Sequence, residues 1–517
     1  MNGQQHEAAM ADFLTRATGL CVYGASVSYA EDRVLAFARD GGSKWVLVAA
    51  PAPKQAPFNQ LRGRRISATW QGTKLEIAML LPTHEAAVAL RQFLPWAAPS
   101  VIGLRCSAGL GDRLGLATPG HAQAVRNTGI VPYFAQQSIR EMTRTQRTPE
   151  QVMDAATWGV FQAGWRDGFG SDADHLKTSA DADACVAAGF TMFTIDPGDH
   201  VRSDADSADS SALHGWINAL PWDRLETTVA EFRNRYVGHP FPLAGGGEVV
   251  FTEDSLARAA IKYGEAVAHT AAMYRHIRAR MGARPFELEV SVDETAAPTS
   301  TLEHYLIAAE LRRLGVHWIG LAPRFVGEFE KGIDYKGDPA AFEKSFAGHV
   351  AVARTLGPYK LSIHSGSDKF TIYPIAARLA GGLIHLKTAG TSYLEALRVV
   401  ARRRPELFRR ILGFALSRFE KDRASYHISA NLGRIPRTDD LPDDRLEPIL
   451  DGNDGRQLLH VTFGSVLTAA KEDDTPLFRD EIVATLLEHE REHFAVLESH
   501  LGRHVRPFIA NGSQETG

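Results

Sequence analysis

Residues able to do acid–base or metal chemistry recur at the ends of short apolar runs in this chain. Asp174 and His175 close GFGSDADH, and His364 ends YKLSIH with Asp368 and Lys369 just behind it. His385 and Lys387 sit in GLIHLK, Glu289 and Asp293 in FELEVSVDE, and Asp196 follows FTMFTI. Gln136 and Gln137 follow PYFA, while Arg324, Glu328 and Glu330 fall in PRFVGEFEK. Two histidines and one or two carboxylates from separate segments make the donor set of a divalent metal: Zn, Mn, Co, Ni or Fe(II). His175 and His364 are the first choices, with a carboxylate from Glu328 or Glu330. The competing reading is a strand-end histidine that stays neutral against a backbone carbonyl. Asp174, beside His175, has the position of a base or of a residue that merely holds a loop. Glu289 lies inside an apolar strand, where lost hydration would raise its pKa and suit it to acid–base work. An internal ion pair with a lysine or arginine is the alternative.

Other motifs carry less. SGSDK (365–369) is a glycine-containing turn whose N–H groups, with Lys369, could cradle a carboxylate or phosphate. In GLGDRLGLATPGH the glycines 109, 111 and 115 miss the GxGxxG spacing, so a dinucleotide fingerprint is unsupported. His489 to His493 matches HExxH, the spacing that places two zinc-binding histidines on one helical face. Its neighbours Glu488, Arg491 and Glu492 are those of a solvated helix near the C-terminus, and the metalloprotease reading is set aside.

Charged residues inside strands buried on both faces are costly unless they serve a site. From residue 101 onward eight apolar runs, 101–109, 130–138, 168–177, 190–197, 286–294, 317–325, 359–366 and 382–390, alternate with helix-like stretches. Those are 119–126, 148–166, 178–189, 253–282, 301–314, 339–356, 372–379 and 392–403, with start signals at Thr118-Pro119, Thr148-Pro149 and Ser300. This alternation predicts an α/β fold, a (β/α)8 TIM-type barrel, whose sites form at the carboxyl ends of its strands. The glycine-rich third run is the weakest of the eight. The expected organisation is a small N-terminal α/β domain (1–98), the barrel (99–404) and a C-terminal helical extension (405–517) packed on it. In the first, 44–53 and 74–82 read as strands and 85–94 as a helix, with 94–100 as a linker. Residues 198–252, acidic, serine-rich and ending in GHPFPLAGGG, read as an insertion of surface loop after the fourth strand. Pro405 and RIPRTDDLPDD (434–444) read as helix breaks, and the tail FIANGSQETG as frayed.

The 517 residues carry 57 Lys+Arg against 61 Asp+Glu, a net charge of −4, which gives no general attraction for nucleic acid or anionic lipid. Composition, 44% apolar and 23% charged, is that of an ordinary globular protein. Cys21, Cys106 and Cys185 lack CxxC spacing, which excludes a thiolate zinc site and a disulfide scaffold. The opening MNGQQHEAAMADFL lacks the apolar core of a signal peptide, and no run approaches the ~18–20 apolar residues of a membrane span. A cytoplasmic protein with no membrane partner is the expectation, with homo-oligomerisation left open.

Beyond these features, GLGDRLGLATPGH, FAQQSIRE, GFGSDADHLK, FTMFTIDPGDHV, EVSVDET, RFVGEFEKGIDYKGD, HSGSDKF, HLKTAGTSYLEA, SYHISA and RQLLHVTFGSVL closely resemble the tagaturonate/fructuronate epimerase family of bacterial hexuronate catabolism. The likeness runs from about residue 100 to 500. It implies an isomerase: a metal-dependent epimerase interconverting D-tagaturonate and D-fructuronate. It further implies Asp174 as proton acceptor, Glu289 as proton donor, and His175, His364 and a carboxylate of GEFEK, Glu330 in preference to Glu328, as ligands of a divalent metal. Gln137, Arg324, Lys369, His385 and Lys387 are the expected contacts of the sugar acid, with Lys369, Arg324 or Lys387 on its carboxylate. The alternatives are a metal-dependent ketose/aldose isomerase and a non-catalytic sugar-acid-binding barrel.

Overall fold

The computed structural model describes residues 3–51, 58–388, 390–437 and 441–509. At the N-terminus, helix Gly3–Thr18 precedes strands β1 (Cys21–Val22), β2 (Ser28–Ala30), β3 (Arg33–Asp40), β4 (Ser43–Ala50), β5 (Gly63–Trp70) and β6 (Thr73–Leu80), followed by helix His84–Phe93. They form one antiparallel sheet in the order β1-β3-β4-β6-β5, with β2 paired to β3. Alternation along β3 and β4 explains how the sheet is covered. Val34, Ala36, Leu47 and Ala49 pack under Met10 and Leu14 of the first helix. Leu35, Phe37, Val46 and Val48 pack on Leu90 and on Phe161, a residue of the barrel layer. Only β4 and β6 were expected from sequence. Charged ends mask the apolar core of β3, and β5 is an edge strand with much of its length in solvent.

The eight runs from residue 101 onward all contain strands: β7 (Ser107–Gly109), β8 (Val131–Ser138), β9 (Gly170–Leu176), β10 (Met192–Ile195), β13 (Glu287–Val292), β14 (Gly320–Pro323), β15 (Lys360–Ile363) and β16 (Ile384–Lys387). Every neighbouring pair is parallel, and the sheet closes as β10-β13-β14-β15-β16-β7-β8-β9. The helices between them fall within a few residues of the expected ranges, because the start signals act as read: Thr148 and Ser300 each form a capping box. Thr118 is instead the first helical residue, without a side-chain cap. The insertion after β10 is more ordered than expected. Helices Ser210–Asn218 and Val229–Tyr236, capped by Asp209 and Thr228, and the hairpin β11 (Pro240–Pro242) and β12 (Glu248–Val250) precede helix Glu253–Met281.

After barrel helix Thr391–Arg403 the chain continues in helices Pro405–Asp422, Asn453–Val461, Phe463–Thr468, Arg479–Glu488 and Glu490–Ile509. Pro405 opens its helix and so separates it from the preceding one. Tyr393, Leu397 and Val400 of the barrel helix share a second apolar core with Phe408, Leu412 and Phe463. Residues 438–440 of the expected second break, and most of the tail expected to fray, lie outside the described residues. Among the described residues no helix is long and apolar enough to cross a membrane.

The HExxH sequence straddles a helix boundary, since His489 caps one helix and Glu490 begins the next, so its histidines do not share a continuous helical face. Glu490 is buried and accepts from Tyr23 (2.8 Å) and Gln162 (3.1 Å), with Lys44 Nζ at 3.1 Å. The motif therefore pins the N-terminal sheet to the last helix. Glu490→Ala leaves the half-buried Lys44 with Gln162 Oε1 at 2.7 Å and without its carboxylate, and is expected to cost about 1–3 kcal/mol of stability. A denaturant midpoint equal to that of the parent would show the contact to be idle.

Candidate active site

Two irregularities in the barrel decide which side chains meet at its carboxyl-terminal rim. The register of β9 against β10 runs Ala173↔Phe193 and then Leu176↔Ile195, so β9 carries one extra residue. His175 adopts φ +53°, a left-handed conformation uncommon outside glycine. Asp174 and His175, adjacent in sequence, can thereby both face the site. A second shift, between Tyr133 and Ala135 of β8, brings Gln136 to Asp174 (Nε2 to Oδ2, 2.8 Å). Gln137, expected at the substrate, is instead buried off the cavity wall, with neither amide atom hydrogen-bonded among the described residues.

Lys387, the last residue of β16, is the electrostatic centre. Its Nζ lies 2.8 Å from Asp172 Oδ2, Asp174 Oδ1 and Glu289 Oε1, and donates to Thr194 Oγ1 at 2.8 Å. Burial opposes a charge on any of these groups, but the cluster offsets it. Lys387 is held well above the usual lysine range by its three carboxylates. Asp174 and Glu289 are held below the usual carboxylate range, by Lys387 with His175 and by Lys387 with His364, respectively. For Asp172 burial outweighs Lys387 and the pKa rises. Glu289 therefore departs from the expected elevated pKa, because the internal ion pair named as its alternative forms.

Above Lys387 two imidazoles meet. His364 donates from Nε2 to Glu289 Oε1 (2.6 Å), and His175 donates from Nδ1 to Asp196 Oδ2 (3.1 Å). These bonds leave His364 Nδ1 and His175 Nε2 facing each other at 3.2 Å. Asp293 Oδ1 is 3.3 Å from the former and Asp174 Oδ1 3.8 Å from the latter. Burial opposes protonation of His175, yet Asp174 and the Asp196 hydrogen bond carry its pKa up to about 10. Ring nitrogens this close are bridged by a proton or by a shared cation. Carboxylates holding the outer ring N–H groups are the usual support of metal-bound histidine, and Asp174, His175 and His364 form a group whose ligand atoms all lie within 4.8 Å of one another. The donor set thus fits a divalent cation.

The other expected residues are placed differently. Glu330, favoured as the carboxylate ligand, is not in this group: its carboxylate accepts from Ser429 (2.8 Å) and Gln457 (2.6 Å) and pairs with Lys336 (3.0 Å), tying its loop to the C-terminal helices. Glu328 faces an outer cleft, 3.0 Å from His427. Lys369 is fully buried and donates to the carbonyls of Glu330, Ile333 and Ser367, with burial pushing its pKa down to about 7. It fastens two loops and does not reach the cavity. Arg324 lies in the outer cleft, donating to the Thr295 carbonyl. His385 sits a layer deeper, with Nδ1 2.9 Å from Ser107 Oγ and its ring edge-on to Tyr133.

A cavity opens over the cluster, lined by Gln136, Asp174, His175, His364 and Lys387. Its far wall was not anticipated: Arg113, Arg140, Glu141, Lys331, Tyr426 and His460. All six fall within segments that carried the resemblance, but none lies in a run whose spacing announces a site.

Barrel, rim cavity and a cluster of acidic and basic side chains define a (β/α)8 enzyme with its polar pocket at the carboxyl ends of the strands. A profile of the tagaturonate epimerase family matches residues 23–508. The chain is 44% identical over 422 residues to a tagaturonate/fructuronate epimerase of Thermotoga maritima, covering 82% of this chain and 84% of that protein. Crystal structures of a fructuronate-tagaturonate epimerase from Cohnella laeviribosi superpose with a TM-score of 0.88. The native form is 38% identical, and a glycerol complex 37%, each covering 97% of this chain and 99% of the other. The chain belongs to the tagaturonate epimerase family.

Proposed function

We propose that this enzyme interconverts D-tagaturonate and D-fructuronate, with Asp174 and Glu289 moving the protons and the His175–His364 pair holding a divalent cation. The observation that carries the reading is the convergence, in a chain of this family, of a base, a buried acid–imidazole pair and two facing ring nitrogens in one cavity. The two sugars differ at a carbon β to the ketone, one atom beyond the acidic α-carbon, so simple enolisation cannot invert it. Retro-aldol cleavage can. Asp174 takes the proton of the hydroxyl on the inverting carbon, the bond between the α- and β-carbons breaks, and the hydroxyl carbon becomes an aldehyde. After the aldehyde rotates, the bond re-forms on its other face, the Nε2 proton of His364 passes through Glu289 to the new alkoxide, and the proton left on Asp174 returns to the Glu289–His364 pair through Lys387, which lies 2.8 Å from both carboxylates. Lys387 keeps the carboxylates ionised and Gln136 holds Asp174 in line. A divalent cation held by His175, His364 and an Asp174 or Asp293 oxygen would supply Lewis acidity toward the sugar's ketone and hydroxyl oxygens.

The test is NMR analysis of metal-supplemented protein incubated with D-tagaturonate. D-Fructuronate should accumulate to an equilibrium that is also reached from the other side, and no conversion by folded protein would overturn the reading. Run in deuterium oxide, the same experiment separates the routes: an isomerase shuttling a proton between adjacent carbons must take up solvent deuterium, whereas cleavage and re-addition need not.

A further inference from the structure

Resting on the sugar-acid reading above, we propose that Arg113, assisted by Lys331, grips the carboxylate of the substrate. The cavity is lined by four cationic side chains, Arg113, Arg140, Lys331 and Lys387, against two carboxylates, Glu141 and Asp174. Two of those cations are already committed. Lys387 is saturated by its three carboxylates and Thr194, and Arg140 pairs with Glu294 at 2.8 Å. Lys331 donates to a neutral partner, the Ser365 hydroxyl.

Arg113 is built as a rigid fork with one prong unused. The residue is 4% exposed, and its guanidinium carbon stands 3.6 Å from the centre of the Phe463 ring. Glu141, itself fixed in the capping box of Ser138, accepts from Nε at 2.9 Å and lies 2.8 Å from Nη2. His460 Nε2 is 3.4 Å from Nη2. Nη1 alone is buried without a hydrogen-bond partner among the described residues. A buried guanidinium donor left empty is costly unless a ligand fills it, and a carboxylate is the acceptor whose geometry and charge match. Gly390 secures the space, since a Cβ there would lie 2.7 Å from Nη2. The distribution also suits the chemistry. In a 5-keto hexuronate the carboxylate lies two carbons from the inverting centre, on the fragment that becomes the aldehyde. A fixed grip on it retains that fragment while the aldehyde turns.

The test compares binding of D-fructuronate and of neutral D-fructose to metal-supplemented wild type, Arg113→Met and Lys331→Met by calorimetry, with steady-state kinetics on D-tagaturonate. Arg113→Met should weaken D-fructuronate by at least roughly tenfold while leaving D-fructose unchanged, and raise KM for D-tagaturonate more than it lowers kcat. Lys331→Met, at a half-buried position, should show the same selectivity to a lesser degree and stands in if Arg113→Met does not fold. Equal weakening of both sugars, or no change for the acid in either variant, would overturn the assignment. Wild type that binds no uronate would instead bring down the sugar-acid reading, and this proposal with it.

Discussion

Asp174→Asn is expected to fold and, with His175, His364 and Asp293 still in place, to retain bound metal, but to lose turnover of D-tagaturonate by roughly 10²–10⁴-fold, the range a positioned general base contributes. The substitution preserves the shape of the carboxylate and one oxygen acceptor for Lys387 or Gln136, and it removes the negative charge together with the capacity to take a proton. His364→Ala should differ in kind. It deletes one of the two facing ring nitrogens and also the donor at 2.6 Å from Glu289, so metal content and turnover should fall together. Metal analysis of the dialysed proteins separates the two variants. If Asp174→Asn works at near wild-type rate, the base lies elsewhere in the cavity. If His364→Ala binds metal as tightly as the parent, the imidazole pair is not the cation site.

The architecture was largely legible because a (β/α)8 barrel writes itself as alternation. Even GSDADHL is a strand, for its inward residues are held by ion pairs and not by apolar contact. Asp174, His175, Glu289, His364 and Lys387, singled out by position in or at the ends of strands, lie together in the structure. What position could not supply was the partner of each charge. Glu289 read as a buried acid with an ion pair to an unspecified lysine or arginine as the alternative, and only the fold shows Lys387 reaching it from another strand. Lys369 was expected on the sugar acid, whereas Lys331, inside RFVGEFEK, carried no expectation. One is consumed by three backbone carbonyls and the other reaches the cavity, a difference set by which loops cross above β15. Arg113 and His460 stand 347 residues apart, and no local rule of spacing brings them together.

Lys387→Met should be the most damaging single change in the barrel, with an expected loss of about 3–5 kcal/mol from removing the cation of a buried cluster. The substitution nearly conserves volume, so the effect isolates charge. Asp172 and Glu289 are 0% exposed and Asp174 is 5% exposed, and without the ammonium they repel one another where water cannot screen them. His364 would remain as a neighbour of Glu289 only. The decisive experiment adds Asp172→Asn. Asp172 lies below the cavity wall and bonds to Thr194 at 2.8 Å, so its neutralisation does not touch the proposed proton-transfer pair. In the wild-type background it removes a partner of Lys387 and should destabilise. In the Lys387→Met background it removes an uncompensated charge and should stabilise, a reversal of sign that a double-mutant cycle in melting temperature reads directly. Turnover should stay low in both, since Asp174 and Glu289 have lost the cation that holds them ionised and aligned. A Lys387→Met protein melting within about 1–2 °C of the parent, or a cycle in which the two changes simply add, would mean that the carboxylates are neutralised by protons and not by this lysine.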